Sequence, residues 1–166
     1  MTGRQGKWLL LLPVAALVLI LDQLSKSWVL RNIPLYETWA PIPALARVFV
    51  FRHVTNTGAA FGLFPNGGAI LLAIAVVVIV AIVVYTRYLP TERWLVLLSL
   101  GLQLGGALGN LIDRLRFGHV VDFIDFHFWP TFNVADMSLV TGVALLALLV
   151  LTEKGERPAQ ETAEGR

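Results

Sequence analysis

Four long apolar runs constrain this chain more than any other feature of its sequence. They extend over about Trp8–Val29, Gly68–Tyr85, Trp94–Ile112 and Val134–Leu151. Each is close to the ~20 residues that an α-helix needs to cross the hydrocarbon core of a bilayer. With 57% hydrophobic and only 14% charged residues, the composition is far from that of a soluble domain. The sequence therefore predicts a mostly α-helical integral membrane protein with four transmembrane helices.

The first run also has features of a cleavable signal peptide, because Arg4 and Lys7 precede a leucine-rich stretch. However, the apolar character resumes after Asp22, and no small-x-small cleavage site follows it cleanly. We therefore interpret this run as a retained membrane span. Residues 1–152 then form one membrane-embedded domain, and the polar tail at 153–166 is predicted to be disordered and cytoplasmic.

Four spans place both termini on the same side of the membrane. Lys and Arg residues are divided almost evenly between the two sides, seven against six, so their overall count decides little. The basic amino terminus and the short basic turn Arg87–Arg93 count most under the positive-inside rule. Both features predict cytoplasmic termini and place the two longer connections on the outer side.

The two outer connections differ from the short inner turn. The first, Arg31–Gly67, contains four prolines and an alternating stretch at Arg47–Val54 that is typical of strands. We expect a small extramembrane β-cradle between helices 1 and 2, with Trp39 at the membrane interface. The second, Arg116–Phe132, is rich in aromatic residues and is expected to form a periplasmic loop at headgroup depth between helices 3 and 4.

Several classes of chemistry are disfavoured by what the sequence lacks. The absence of Cys excludes disulfides, thiol nucleophiles and thiolate metal ligands, and no Gly-x-Ser-x-Gly motif is present. A net charge of +2 gives no support for a nucleic-acid partner. Four residues with possible metal ligands lie within nine positions: His119, Asp122, Asp125 and His127. Their spacing matches no H-E-x-x-H motif, so we expect neither a metal nor another cofactor.

The polar residues of the spans gather near the outer ends of the helices. In the first helix, Asp22 and Lys26 are four residues apart, so they share a face and can form a salt bridge. This pair has a purely structural interpretation, because mutual neutralisation makes both side chains tolerable at the membrane boundary. A role in a site is the alternative.

The third helix contains two neighbouring stripes that indicate how it packs. Small residues recur every four positions along the stripe that leads to Asp113: Gly101, Gly105 and Gly109. Such a stripe allows another helix to approach closely. The adjacent stripe is Gly106, Asn110 and Arg114. We expect Asn110, Asp113 and Arg114 to face the helix bundle, where their structural role is an interhelical hydrogen-bond cluster.

Two acids are the main candidates for functional residues, because an ionisable residue beside a membrane span is energetically costly and is by default functional. Asp136 follows Asn133 at the start of the fourth helix, where Asn is a favoured cap and an acid stabilises the positive end of the helix dipole. Capping alone can explain that pair. Asp122 has no comparable explanation. Its neighbour Asp125 shares a face with it only if the segment is helical, and the sequence leaves this open.

Five motifs occur in order along most of the chain, from about Trp8 to Leu151. They are Asp22-Gln23-x-x-Lys26, Asn56-x-Gly58-Ala59-Ala60-Phe61, Gly105-Gly106-Ala107-x-Gly109-Asn110-x-x-Asp113-Arg114, Val121-Asp122-Phe123 and Phe132-Asn133-x-Ala135-Asp136. Each motif is weak alone. Together they resemble the motif set of the bacterial lipoprotein signal peptidase family, also called signal peptidase II.

The resemblance implies an intramembrane aspartic endopeptidase in the bacterial cytoplasmic (inner) membrane, with its active site near the periplasmic face. Asp122 and Asp136 correspond to the catalytic dyad of the family. The implied substrate is a prolipoprotein whose signal peptide is cut just before a diacylglyceryl-modified cysteine, in contact with membrane lipid. A monomer is expected. Further motif residues are implied to line or support the site: Asp22, Lys26, Asn56, Gly58, Asn110, Asp113, Arg114 and Asn133.

The chemistry of two adjacent carboxyl groups suits peptide hydrolysis, because they cannot readily both ionise. The ionised group can act as a base toward water while the protonated group polarises the scissile carbonyl. A proton- or ion-coupled transporter is the alternative, with a relay of five charged residues: Asp22, Lys26, Asp113, Asp122 and Asp136. Against it, the sequence has no inverted repeat, and these acids crowd one side of the membrane. A non-catalytic scaffold is a third possibility.

Overall fold

The computed structural model of the protein describes residues 3–58, 68–89 and 93–155. The helices are α1 (Gly3–Asn32), α2 (Gly68–Tyr88), α3 (Trp94–Phe117) and α4 (Val134–Gly155). The strands are β1 (Thr38–Trp39), β2 (Val50–Asn56) and β3 (Val120–Asp125), and a short 3-10 helix lies at Pro43–Leu45. All four of these helices are long and apolar enough to span a membrane, which confirms the predicted helical membrane fold.

Several predictions fall partly outside the described residues, including the end of the cradle at 59–67 and the middle of the basic turn at 90–92. Three residues of the second motif, Ala59, Ala60 and Phe61, lie in the undescribed stretch 59–67. The polar tail is another case. Helix α4 continues to Gly155, beyond the predicted end at Leu151, and residues 156–166 are not described. The disorder of the tail therefore stays a prediction.

Helix α3 also extends beyond the apolar run that predicts it. It passes Ile112 and continues through the charged residues Asp113 and Arg114 to Phe117. Gly118 ends the helix in the left-handed conformation, with φ at 77°, and its N–H donates to the carbonyl oxygen of Arg114 at 3.0 Å. This is a common helix-ending geometry for glycine. The extension brings the polar residues of α3 onto a rigid element.

The centre of the bundle is α3, which packs against each of the other three helices. A Cβ atom on Gly105 would lie 2.6 Å from the carbonyl oxygen of Ala15 in α1. A Cβ atom on Gly106 would lie 2.5 Å from the carbonyl oxygen of Ala135 in α4. Both distances are too short for a side chain, so the backbones are in direct contact. The two predicted stripes are therefore helix-packing surfaces, one for α1 and one for α4.

The sheet is antiparallel with the strand order β1-β2-β3. Strand β2 pairs with β1 through Thr38 opposite Arg52 and with β3 through Val54 opposite Asp122. The strand predicted at 47–54 is present but shifted to 50–56. The shift arises because the 3-10 helix is followed by a turn in which the N–H of Phe49 donates to Leu45.

The second outer connection contributes a strand, β3, that is not expected from the sequence. We expect a loop at headgroup depth for residues 116–132, whereas β3 joins the sheet formed by the first connection. The extended backbone also resolves the alternatives left open for Asp122 and Asp125, which lie on opposite faces of β3. One acid can therefore face the helix bundle while the other faces away from it.

Candidate active site

The charged residues of α1 and α3 meet in a buried ion cluster. The Lys26 ammonium lies 2.9 Å from Oδ2 of Asp22 and 2.9 Å from Oδ2 of Asp113. It also donates a hydrogen bond of 3.0 Å to Oδ1 of Asn110. These three partners match the three donors of an ammonium group. All three charged side chains are at most 2% exposed. The expected Asp22–Lys26 pair is present, and a second acid, Asp113, also bonds to Lys26.

Gln23 belongs to this cluster, although it is not among the site residues expected from the sequence. Its Nε2 donates to Oδ1 of Asp113 at 3.0 Å and to Oδ2 of Asp22 at 3.2 Å. Neighbours in a helix do not normally face each other, so helical spacing gives no reason to pair Gln23 with Asp22. Its place in the first motif is the signal that could have identified it.

The two acids of the cluster also accept backbone hydrogen bonds. Oδ1 of Asp22 accepts from the N–H of Ala135 at 3.0 Å, and Oδ2 of Asp113 accepts from the N–H of Val121 at 3.1 Å. Charge-assisted bonds of this kind are about twice as strong as neutral ones. The cluster therefore fixes the start of α4 and the start of β3.

Asp122 projects from β3 toward the bundle, where two amides hold its carboxyl group. Asn56 Nδ2 donates to Oδ2 at 2.8 Å, and Asn133 Nδ2 donates to Oδ1 at 2.6 Å. The side chain of Asp122 is buried, with 2% exposure. Both carboxyl oxygens of this buried side chain thus accept hydrogen bonds from protein donors.

Asp136 lies in the first turn of α4, where it has the predicted capping contacts. Its N–H donates to Oδ1 of Asn133 at 2.9 Å, and the N–H of Asn133 contacts Oδ2 of Asp136 at 3.4 Å. This reciprocal arrangement is a capping box. Its other oxygen, Oδ1, accepts from Nδ2 of Asn110 at 2.8 Å. The capping interpretation is therefore correct, and it leaves Asp136 joined to the polar cluster.

Two asparagines connect the acids. Asn133 donates to Asp122, Asn110 donates to Asp136, and Nδ2 of Asn133 lies 3.3 Å from Oδ1 of Asn110. Each asparagine is buried and uses both ends of its amide. The side chains of β3, α3 and α4 therefore form one hydrogen-bond network that contains both acids.

The electrostatic environment of Asp122 favours its protonated form. The pKa of Asp122 is raised to about 7, mainly by burial and secondly by the negative charge of Asp136. The hydrogen bonds from Asn56 and Asn133 and the positive charge of Lys26 act in the opposite direction. The contribution of Asp136 means that the two acids are close enough to be electrostatically coupled.

Asp136 also borders an open cavity of about 650 Å³. Asn56, Gly58 and Arg114 also line this cavity, together with apolar residues such as Leu71 and Val140. Arg114 is half-buried, and its positive charge interacts most strongly with Asp136 and then with Asp122. Gly58 adds a fixed contact, because its N–H donates to Oδ1 of Asn56 at 3.0 Å.

The possible metal ligands at 119–127 do not converge on one point. Oδ1 of Asp125 accepts from the N–H of His127 at 2.6 Å, and its Oδ2 lies 3.8 Å from Arg52. His119 stacks on Phe117, with ring centroids 5.9 Å apart. Among the described residues, no group of three or more His, Asp or Glu side chains is arranged to hold a metal ion. His119, Asp125 and His127 therefore have other partners and do not join Asp122 in a metal site.

Known proteins that are similar to this chain include members of one family of peptidases. Residues 14–152 match the family described as signal peptidase (SPase) II. The lipoprotein signal peptidase of Moorella thermoacetica is 48% identical over 146 residues, which cover 88% of this chain and 95% of that protein. The lipoprotein signal peptidase of Halothermothrix orenii is 47% identical over 81% of this chain and 90% of its own length.

A solved structure has the same fold. It is a bacterial membrane enzyme determined by the in meso method at 2.3 Å resolution, with a TM-score of 0.83 and 28% identity. The match covers 92% of this chain and 94% of that one. The family match and these similarities extend over most of the sequence, including all five motifs. The chain therefore belongs to the signal peptidase II family.

Proposed function

We propose that this protein is an aspartic endopeptidase that releases the signal peptides of prolipoproteins, with Asp122 and Asp136 as its catalytic acids. The family supports peptidase activity on prolipoproteins. The observation that carries the choice of acids is the asparagine network, in which Asn133 donates to Asp122 and Asn110 donates to Asp136. This network joins Asp136, which borders the cavity, to the electrostatically coupled carboxyl group of Asp122.

The two acids have different surroundings, which supports different protonation states. Asp122 has its pKa raised to about 7 by burial and by the charge of Asp136. Asp136 lies at the positive end of the α4 dipole and interacts more strongly with Arg114 than Asp122 does. Asp122 is therefore the proton-bearing acid near neutral pH, and Asp136 is the base.

Hydrolysis then proceeds without a covalent intermediate. The carboxylate of Asp136 takes a proton from water while the oxygen of that water attacks the scissile carbonyl carbon. Asp122 gives its proton to the carbonyl oxygen, which produces a gem-diol. When the gem-diol collapses, one hydroxyl returns its proton to Asp122, the C–N bond breaks, and Asp136 protonates the leaving nitrogen. Both acids regain their starting states.

Neighbouring polar groups orient the acids and the peptide. Gly58 fixes the amide of Asn56, since its N–H occupies Oδ1 and leaves Nδ2 directed at Asp122. Arg114 lies on the cavity wall, where its guanidinium can donate to a peptide carbonyl. Because preorganised donors act strongly in a water-poor site, these residues stabilise the charge that develops during attack.

The placement of the site supports cleavage near a membrane surface. Trp28 lies at the same end of α1 as Lys26, and its ring centroid is 5.1 Å from that of Trp39. Both indoles are partly exposed. Paired indoles are typical of a membrane interface. The apolar residues that line the cavity suit the hydrophobic part of a signal peptide and its attached lipid. With cytoplasmic termini, this end of the bundle faces the periplasm, and the cut falls just before the diacylglyceryl-modified cysteine.

Family membership favours the peptidase over a transporter, and the experiment must still distinguish the two. The purified protein is reconstituted in vesicles with a prolipoprotein that carries the diacylglyceryl group, and with a matched precursor that lacks it. Mass spectrometry of the products is expected to map one cut before the modified cysteine. Proton flux across the vesicle membrane without any cleavage would instead support the relay of charged residues. Intact precursor and no flux would support the scaffold.

A further inference from the structure

The ion cluster around Lys26 has a geometry that salt bridging alone does not explain. The Lys26 ammonium holds two carboxylates at 2.9 Å each, one from α1 and one from α3. A buried ion pair is weak evidence for stability, because desolvation offsets much of the attraction. The cluster also directs two carboxyl groups at a single ammonium group. A role in geometry accounts better for its presence in this bundle.

Each carboxylate of the cluster is bonded to the residue directly before one of the catalytic acids. Asp22 accepts the N–H of Ala135, which precedes Asp136. Asp113 accepts the N–H of Val121, which precedes Asp122. The two arms therefore start at one ammonium group and end on the two backbone segments that carry the acids.

A third arm reaches one acid through a side chain. Lys26 donates to Oδ1 of Asn110, so the opposite end of that amide, Nδ2, is directed at Asp136. If the amide were reversed, its nitrogen would face the ammonium and its oxygen would face the carboxylate. Both contacts would then be repulsive. The lysine thus fixes which way Asn110 points.

We propose that Lys26 is a positioning residue that sets the separation and orientation of Asp122 and Asp136 through Asp113, Asp22 and Asn110. The inference rests on the proposed function, because it assigns the catalytic step to those two acids. The contacts of the three charged cluster residues lead to the backbone segments and the amide that hold the two acids, so the cluster acts through the acids.

The charges around the dyad determine what the loss of Lys26 does to titration. Asp122 is influenced by Asp136 from α4, by Lys26 from α1 and by Arg114 from α3. Lys26 itself is faced by Asp22 and Asp113. Since the positive charge of Lys26 opposes the raised pKa of Asp122, its removal moves the protonation midpoint of Asp122 to higher pH.

Lys7 offers a matched control on the same helix. It is also buried, with 5% exposure, and its ammonium donates to the carbonyl oxygens of Arg87 at 2.7 Å and Leu89 at 2.9 Å. These contacts tie α1 to the end of α2, far in sequence from the polar cluster. The variants Lys26→Met and Lys7→Met therefore each remove one buried ammonium group, but only the first affects the proposed positioning.

The test compares the two variants by steady-state cleavage and by infrared titration. Lys26→Met is expected to lower kcat by about 10- to 100-fold, the range for a misplaced catalytic group, with KM nearly unchanged. The carboxyl C=O stretch that disappears in Asp122→Asn is expected to titrate at higher pH in Lys26→Met. Lys7→Met is expected to lower the melting temperature while kcat and the infrared midpoint stay at their wild-type values.

A purely structural lysine would give a different result. If Lys26→Met keeps the wild-type kcat and infrared midpoint, the proposal is wrong, whatever happens to the melting temperature. If Lys26→Met does not fold, Asp113→Asn decides, because it keeps the Lys26–Asp22 pair and weakens the arm that runs from Lys26 through Asp113 to Val121. A wild-type kcat in that variant rejects the proposal. If the wild-type protein does not cleave, the proposed function fails, and the infrared midpoint still tests the role of Lys26.

Discussion

Helices α2 and α3 are both apolar enough to span a membrane, yet they are used in opposite ways. Of the four described helices, α2 is the most hydropathic and α3 the least. Only Ile82 and Thr86 are buried in α2, whereas twelve residues of α3 are buried. The more hydropathic helix therefore faces lipid, and the less hydropathic one forms the centre of the bundle.

The difference indicates where polar residues can exist inside a membrane protein. An apolar side chain on α2 has a suitable solvent in lipid, so it needs no protein partner. Asn110 and Asp113 on α3 require protein donors and acceptors, and the glycines beside them let α1 and α4 come close enough to provide these. Low hydropathy within a span is therefore a sign of a site.

The largest expected effect is on kcat, when either of the two proposed catalytic acids in the polar part of the bundle is replaced. Asp122→Asn and Asp136→Asn, made singly, are each expected to lower kcat by about 10³-fold or more, because each acid transfers a proton in the proposed mechanism. Cleavage of a diacylglyceryl-modified precursor measures the effect. The control is Asp125→Asn, which alters the opposite face of β3 and is expected to change kcat only slightly. Full activity in either single dyad variant would reject the proposed chemistry.

The next effect is the pH dependence of cleavage. Asp122 must be protonated to act as the acid, and its pKa is raised to about 7. As the pH rises above this value the proton is lost, so kcat is expected to fall about tenfold per unit on the alkaline side. The measurement is kcat between pH 5 and 9 at saturating precursor. A profile that keeps rising above pH 8 would mean that Asp122 acts as the base instead.

The sequence predicts the spans and, through the family resemblance, implies the residues of the candidate site, but it does not predict how backbone contacts join them. The stripe that ends at Asp113 and the four-residue spacing of Asp22 and Lys26 follow from helical periodicity. The pairing of β3 with β2 does not, because it depends on two connections that lie 66 residues apart at Asn56 and Asp122. For the same reason, the bonds from Ala135 and Val121 to the acids of the cluster have no signature in the sequence. Backbone N–H groups are the same at every such position.

A smaller effect is expected from direct changes to the packing of the two helices. Gly105→Ala places a Cβ atom 2.6 Å from the carbonyl oxygen of Ala15 and is expected to lower the free energy of unfolding by about 1–3 kcal/mol, as overpacking typically does. Val77→Ala on α2, where the side chain is 66% exposed to the lipid side, is expected to change it by less than about 0.5 kcal/mol. Unfolding in detergent micelles measures both. Equal losses would mean that α2 is packed as tightly as α3.

The smallest effect, none, is expected from metal chelation. Both oxygens of Asp122 already accept amide N–H bonds from Asn56 and Asn133. Asp125, which a metal site at 119–127 would need, is occupied by His127 and Arg52 on the other face of β3. A divalent ion would have to displace several of these donors, and the described His and Asp side chains do not converge to replace them. Cleavage is therefore expected to have the same rate with and without EDTA. Inactivation by EDTA that zinc reverses would assign the chemistry to a metal and would leave the asparagine network with only a structural role.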